Sequence, residues 1–275
     1  MKKFVIVSTF VSLVTACNAS NASLPPLNVI VTESAREDVI TAKKKDSDPI
    51  DKACPKGMVL VEGEFCPEVE QKCLRWLPGS HPGIGPLRCA EFQFPSVCKS
   101  EKRVHKKFCI DEFEWPNRKD EFPIIDVTWY KAGDMCKNVG KRLCTADEWT
   151  FACEGEDMLP YPYGDGYHRD EKVCDQEHES MSPTLPRSVW PDYYYAHRSG
   201  SMEQCKSRFG VYDLIANVDE WVVNEKGRKD GDPYISGLKG GYWTYRVRTR
   251  CRPMTTAHGP EHSFYQQGFR CCRSI

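Results

Sequence analysis

The stretch Gly140-Lys-Arg-Leu-Cys-Thr-Ala-Asp-Glu-Trp149 carries the clearest local folding signal in the chain. Thr145 is followed three residues later by Glu148, which is the pattern of a capping box. In this motif each side chain accepts a hydrogen bond from the other residue's backbone amide, so the first turn of a helix is satisfied. We therefore predict a helix from residue 146 to about residue 153.

The rest of the chain offers few signals for regular structure. Thr128 is a candidate N-cap for one earlier helix, which ends near Gly140. Residues 57–63 and 108–115 have the composition of short strands. Residues 154–275 are rich in Gly, Pro, Tyr and Trp, with short strand candidates and no repeat. The pattern predicts an α+β fold with few helices and short strands.

The overall charge excludes one class of partner. The chain has 275 residues, with 38 basic and 39 acidic side chains and a formal net charge of -1. Such a balance gives no general attraction to nucleic acid, and we predict no nucleic-acid partner. Its 40% hydrophobic content is enough for a packed core.

The N-terminus resembles an export signal. Lys2 and Lys3 precede thirteen uncharged residues at 4–16, a stretch too short to span a bilayer. Val14-Thr-Ala-Cys17 resembles a bacterial lipoprotein signal, which implies that residues 1–16 are a signal peptide and that Cys17 carries lipid. The alternative is an ordinary signal peptide followed by a chance cysteine. Residues 17–53 read as a tether, because they contain little apolar surface. These features predict a protein of the cell envelope, anchored in a membrane through lipid.

Cysteine usage also indicates export. Of the 15 cysteines, 15 - 1 = 14 remain after Cys17, an even number that allows up to seven disulfides in an oxidising compartment. We predict one domain over residues 54–275, with a Cys-rich insertion around 66–107. Cys144 and Cys153 would stand about 13 Å apart along a helix, so they should not pair with each other.

Eight sequence blocks occur in the order found in a known family. They are GMVLV (57–61), FCIDEFEWPN (108–117), PIIDVTW (123–129), GKRLCTADEW (140–149), YPYG (161–164), FGVYDLIANVDEW (209–221), KGGYW (239–243) and GFRC (268–271). In these blocks the chain resembles the formylglycine-generating enzyme, or sulfatase-modifying factor, family. The resemblance implies an irregular, disulfide-rich C-type-lectin-like fold.

The resemblance implies two disulfides, Cys136 with Cys271 and Cys153 with Cys251. Adjacent strand residues point to opposite faces, so Cys272 should have a different partner from Cys271. The alternative is that Cys272 is a free buried thiol. The remaining pairings cannot be deduced from spacing.

The resemblance also implies a catalytic copper held by two cysteines, in the interval that ends at Cys251. Here residues 242–250 contain no cysteine, and Arg246 stands at the second thiolate position. Arginine cannot replace a soft copper ligand, because it stays protonated and has no lone pair to donate. We therefore expect no copper and assign no catalytic residue. The alternative is an oxidoreductase of the same family, either one that converts a protein cysteine to formylglycine with a relocated thiol pair or one that catalyses a related oxidation.

The family resemblance also implies a calcium site, in the loop before Glu220-Trp221. The matching positions are Asp213 and Glu220 through their side chains, and Ala216 and Val218 through their backbone carbonyls. Oxygen ligands of this kind suit Ca²⁺. The alternative is a solvated acidic loop.

A candidate binding groove lies in the same region. Aromatic residues and arginines are common binding anchors, and the groove would be formed by Asp219, Tyr242, Trp243, Tyr245 and Arg246. The alternative is a strand whose arginines pair with acids of the core. The combined hypothesis is a lipid-anchored, extracytoplasmic binding or accessory module, with a protein or peptide as its ligand.

Overall fold

Both predicted helices begin at their threonine caps. In the computed structural model, which describes residues 53–78, 88–178, 186–227, 235–244 and 248–275, α1 spans Trp129–Asn138 and α2 spans Ala146–Glu154. The Thr128 side chain accepts a hydrogen bond from the backbone N–H of Lys131, and Thr145 forms the complete capping box. The local signals for both helices are therefore confirmed.

Short strands make up most of the remaining regular structure. A one-turn helix, α3 (Glu171–Cys174), and a 3-10 helix (Arg187–Tyr193) follow α2. The strands are β1 (Met58–Phe65), β2 (Val69–Glu70), β3 (Cys73–Trp76), β4 (Cys89–Phe92), β5 (Val97–Cys98), β6 (Val104–Asp111), β7 (Arg142–Leu143), β8 (Asp219–Val223), β9 (Ser236–Lys239), β10 (Met254–Thr255), β11 (Gln267–Phe269) and β12 (Cys271–Ser274).

The strands form two four-stranded sheets and two ribbons. The first sheet has the order β1-β6-β12-β7 and is antiparallel, with β1 and β6 paired from Met58 opposite Asp111 to Phe65 opposite Val104. The second has the order β10-β9-β8-β11, in which β8 and β11 are parallel. Because β11 and β12 belong to different sheets, Arg270 lies at the junction between the sheets.

The predicted strand over 108–115 ends earlier than its composition suggests. Strand β6 stops at Asp111, and the chain then turns. The side chain of Asn117, which has a left-handed backbone, accepts a hydrogen bond from the N–H of Phe113 at 3.0 Å. This side chain takes the place of a ladder partner, so the strand cannot continue.

Seven disulfides hold the described residues together. The bridges are Cys54–Cys109, Cys66–Cys98, Cys73–Cys89, Cys136–Cys271, Cys144–Cys272, Cys153–Cys251 and Cys174–Cys205. They include both pairs that the family resemblance implies, and Cys272 is bonded rather than free. All fourteen cysteines after Cys17 are used.

Two nested bridges close the Cys-rich insertion. Ribbon β2–β5 carries Cys98, whose bridge to Cys66 encloses ribbon β3–β4 with its own bridge between Cys73 and Cys89. A short segment of this kind has little core of its own, so disulfides provide stabilisation that packing does not.

The cysteine pairing bears on the compartment. Seven disulfides are typical of a protein that matures outside the cytoplasm. Within the described ranges, no helix is long and apolar enough to cross a membrane. Residues 1–16, the tether and Cys17 lie outside the described residues, so the signal peptide and the lipid anchor stay predictions.

Candidate functional site

A buried charge cluster lies behind the loop that leads into β8. Glu220 of β8 forms a bidentate ion pair with Arg270, with 2.7 Å separating each oxygen from its guanidinium nitrogen. Arg270 also donates to the carbonyls of Asp111, Glu112 and Tyr212. All five of its N–H groups are thereby used.

Two further carboxyl groups surround this ion pair. Glu114 accepts hydrogen bonds from the Ser199 hydroxyl at 2.6 Å and from the Asn217 amide at 2.8 Å. Burial raises the pKa of Glu114 well above its usual value, and the charge of Asp213 adds to this shift. Burial also raises the pKa of Asp213 to about 6. Three buried carboxyl groups thus share one guanidinium, and protonation relieves the excess negative charge.

The predicted calcium ligands do not all have free oxygens. One oxygen of Asp213 accepts the backbone N–H of Gly200 at 2.7 Å. Glu220 Oε2 accepts both from Arg270 and from the indole N–H of Trp149 at 2.8 Å, so both acceptor positions of this oxygen are filled, while Oε1 accepts from Arg270. A calcium ion at Glu220 would also face the positive charge of Arg270. Arg270 thus opposes a cation at Glu220, whereas the neighbouring buried carboxyl groups favour one, and the predicted site, which includes the carbonyls of Ala216 and Val218, stays a prediction.

Arg248, in the interval where the family resemblance implies copper ligands, forms an ion pair with β8. Arg248 donates to Asp219 Oδ1 at 2.6 Å, and the Asp219 carboxylate is almost fully buried. Burial raises the pKa of Asp219, while the charge of Arg248 opposes that rise. Tyr245 and Arg246 lie outside the described residues. Cys251, which ends the interval, is bonded to Cys153.

The Gly-Gly turn brings this interval against the loop before β8. Gly240 has a φ of 87°, and a Cβ there would lie 2.5 Å from the carbonyl oxygen of Leu214. Any larger residue would push the two segments apart. The turn therefore positions Tyr242 and Trp243 beside that loop.

An aromatic cleft lies next to these two residues. It has a volume of about 480 Å³ and is lined by Ile125, Asp126, Trp190, Pro191, Tyr194 and Tyr265. We call the pocket lined by these six residues the aromatic cleft. It is mostly apolar, and Asp126, whose Oδ1 accepts from the Ser263 hydroxyl at 2.8 Å, is its acidic group.

The predicted groove residues support this cleft rather than line it. Trp243 is fully buried, with its ring 5.3 Å from Tyr194 and 5.6 Å from Tyr265, and Tyr242 packs against the same cluster. Asp219 is engaged by Arg248. The predicted groove residues Tyr242 and Trp243 thus lie beside the cleft, whereas the side chains that line it are not among the predicted ones. Their only signal was the aromatic richness around Trp190 and Tyr194.

Residues 31–275 match the model of the sulfatase-modifying factor enzyme 1-like domain. The chain belongs to this family. Its irregular α+β, C-type-lectin-like fold, with few helices, short strands and seven disulfides, agrees with that membership.

Relatives of this family domain include proteins named as inactive and proteins named as enzymes. The chain is 27% identical over 168 residues to a Bos taurus protein named inactive C-alpha-formylglycine-generating enzyme 2, covering 55% of this chain and 50% of that one. It is 25% identical to the Bos taurus formylglycine-generating enzyme, covering 55% and 44%. It is 33% identical to serine/threonine-protein kinase pkn1 of Chlamydia caviae, covering 56% and 24%. The chain thus spans half or less of the length of these relatives.

Two solved structures share the fold. CarF superposes with a TM-score of 0.52 at 16% identity, over 80% of this chain and 99% of CarF. PvdO from Pseudomonas aeruginosa superposes with a TM-score of 0.51 at 18% identity, over 82% and 97%. At this level of identity the likeness shows the fold alone.

Proposed function

We propose that this domain is a binding or accessory module that has lost the copper oxidase chemistry of its family. The observation that carries the proposal is the pairing of all fourteen cysteines after Cys17. A copper dithiolate needs two thiolates, and a disulfide offers none. A relocated thiol pair, which a copper-dependent formylglycine generator would require, would have to come from a broken bridge.

The Arg248–Asp219 ion pair supports the same conclusion. It occupies the described end of the interval in which the family resemblance implies copper ligands. A guanidinium repels a metal cation and donates hydrogen bonds. This interval is therefore suited to holding the loop before β8 in place.

The aromatic cleft is the proposed ligand site. Aromatic faces attract cations, and Asp126 adds a negative charge at the same place. Burial raises the pKa of Tyr194 to about 12, so its hydroxyl stays protonated at neutral pH. We infer a ligand with apolar and cationic groups, such as a peptide segment containing arginine or lysine.

The module would act at a membrane through lipid on Cys17. The Cys17→Ser variant is expected to leave the membrane fraction, while the domain keeps its disulfides. A variant that stays with the membrane would overturn the anchor, but it would leave the binding proposal intact.

The enzyme alternative is tested with the purified chain, copper, oxygen and a peptide that contains Cys-x-Pro-x-Arg. We expect no conversion of the peptide cysteine to an aldehyde, measured by mass spectrometry. Conversion above the level of copper and peptide alone would refute the proposal and establish an oxidase.

Binding is tested separately with a fluorescein-labelled form of the same peptide in which serine replaces cysteine. Tyr194→Ala is expected to weaken binding by about fivefold, since a cation over an aromatic face contributes on the order of 1 kcal/mol. Tyr130→Ala is the matched control, because Tyr130 is exposed on α1 and does not line the cleft. Equal affinities of the two variants, or no binding by the native chain, would exclude the cleft as this peptide's site.

A further inference from the structure

Asp175, His178 and His197 form a second cluster of polar groups. Asp175 follows α3 and has a left-handed backbone with φ of 44°. His178 lies three residues later, and His197 follows the 3-10 helix. Among the described residues, this is the group of three His, Cys, Asp or Glu side chains whose potential ligand atoms all lie within 4.8 Å of one another.

Both imidazole rings converge on one carboxylate oxygen. Nε2 of His178 lies 2.8 Å from Asp175 Oδ2, and Nε2 of His197 lies 2.5 Å from the same oxygen. The three side chains are between 30% and 35% exposed, so an ion can reach them from solvent.

The surrounding contacts hold each of the three residues in place. The disulfide between Cys174 and Cys205 fixes the residue before Asp175. His178 donates its backbone N–H to the carbonyl of Trp243 at 3.0 Å, and its ring stacks on Tyr195 with centroids 4.4 Å apart.

The third residue is held by the loop before β8. The backbone N–H of His197 donates to Asn217 Oδ1 at 2.7 Å. All three side chains are thus positioned before any ligand arrives, which lowers the cost of binding.

We propose that Asp175, His178 and His197 bind a divalent transition-metal ion such as Zn²⁺, with a fourth position open to water or to an anionic ligand group. Imidazole nitrogens and a carboxylate are preferred zinc ligands, and three protein ligands with one open position form a common catalytic or ligand-capturing arrangement. Tetrahedral zinc with bonds of 2.0–2.1 Å needs ligand atoms about 3.3 Å apart. The two distances to Asp175 Oδ2, 2.8 and 2.5 Å, must therefore open by less than about 1 Å, which small side-chain rotations supply.

Two other histidine sites show what the cluster adds. His168 lies 2.5 Å from Asp165 but has one histidine rather than two in its group. His258 and His262 stack with ring centroids 4.3 Å apart, and His262 Nδ1 lies 3.1 Å from the amide oxygen of Gln267. Neither pair belongs to a group of three potential ligands among the described residues. They are matched controls within the same chain.

The metal site is independent of the proposed peptide site, although the two are neighbours. Tyr194 lines the aromatic cleft, and the next residue stacks on His178. Trp243, which packs against Tyr194, accepts the His178 backbone N–H. Zinc here would place an open coordination position beside the cleft. If the peptide does not bind, the zinc proposal still stands. If zinc does not bind, the peptide proposal still stands.

The test is calorimetric titration of the EDTA-dialysed full chain with ZnSO₄ alone. We expect one Zn²⁺ per chain in the native protein. His178→Ala and His197→Ala should each weaken it by more than about tenfold, because even second-shell changes at metal sites cost 10–100-fold. His168→Ala and His258→Ala should bind zinc as the native chain does.

A second variant and a second signal guard against misfolding. Asp175→Asn keeps the size of the side chain and should also weaken zinc, while the free-thiol count of each variant reports whether its disulfides are intact. Co²⁺ should give the visible absorption of a four-coordinate site in the native chain and in the controls. No zinc binding by the native chain, or binding that survives in both histidine variants, would overturn the proposal. Loss of binding in a control variant would also overturn it.

Discussion

Replacing Arg270 with methionine removes a guanidinium whose five N–H groups all have acceptors. Methionine has a similar length but no charge, so Glu220 loses its bidentate partner while it remains fully buried. Glu114 and Asp213 lie near enough for the charge of Arg270 to affect them as well. The variant therefore leaves a group of buried carboxyl groups without a neutralising charge.

The expected loss follows from that uncompensated charge. Breaking a buried ion pair by removing one partner costs about 3–5 kcal/mol of unfolding free energy. For a domain of this size, each 1 kcal/mol lowers the Tm by about 2–4 °C, so the total shift is roughly 6 to 20 °C. Urea denaturation without reductant measures the free energy directly. Arg273→Met, an exposed change on β12, is the matched control and should stay within about 0.5 kcal/mol.

The pH dependence distinguishes lost charge from lost packing. A carboxyl group whose pKa is higher in the folded chain than in the unfolded chain binds more protons in the folded state. Its contribution to stability therefore falls as the pH rises from the unfolded pKa to the folded pKa. In the native chain the interval for Asp213 ends at about pH 6. Without the positive charge of Arg270 the pKa of Asp213 should rise further, so this pH range should extend to higher pH. The loss of unfolding free energy in Arg270→Met should therefore be larger at pH 7.5 than at pH 4.5. Adding Glu220→Gln should recover part of it. A loss below about 1 kcal/mol, or one that is equal at both pH values, would refute this account of Arg270.

Three other predictions concern separate parts of the domain. Burial lowers the pKa of Lys239 to about 7, from 10.5 for the unfolded side chain. Between these two pH values the unfolded chain binds more protons than the folded chain, so the free energy of unfolding should rise with pH. Urea denaturation should show this rise, and Lys239→Met should make the pH dependence flatter. Replacing both Cys153 and Cys251 with alanine should cost up to about 4.7 kcal/mol, the chain-entropy value for a loop near 100 residues, and a native-like urea midpoint would contradict the estimate. If calcium binds at Asp213 and Glu220 as the family resemblance implies, adding CaCl₂ to the EDTA-treated chain should raise the Tm, whereas an unchanged Tm would contradict the predicted calcium site.

The sequence predicted the features that depend on neighbouring residues. The caps at Thr128 and Thr145 define both long helices, because capping is decided within four residues. The strand predicted over 108–115 overlaps β6 (Val104–Asp111) by half, because β6 begins and ends four residues earlier and Asn117 ends it through a contact that composition does not reveal.

The candidate sites depend on contacts between distant segments, which spacing does not encode. Asp175 and His197 are separated by more than twenty residues, and the fold brings them to one point through α3 and the 3-10 helix. The aromatic cleft likewise combines residues from three segments, among them Ile125 and Tyr265. Trp243, which was predicted to form part of the groove, is buried in the core. The sequence alone does not distinguish these two roles, because aromatic residues serve both packing and recognition.

The proposed loss of copper chemistry requires that no pair of free thiols remains after Cys17. The number of free thiols can be titrated in denaturant without reductant, and mass spectrometry then maps the labelled cysteines. We predict no labelled cysteine after Cys17, because all fourteen are bridged. Two labelled cysteines in the same molecule would show that the pairing is incomplete and would favour the oxidoreductase alternative.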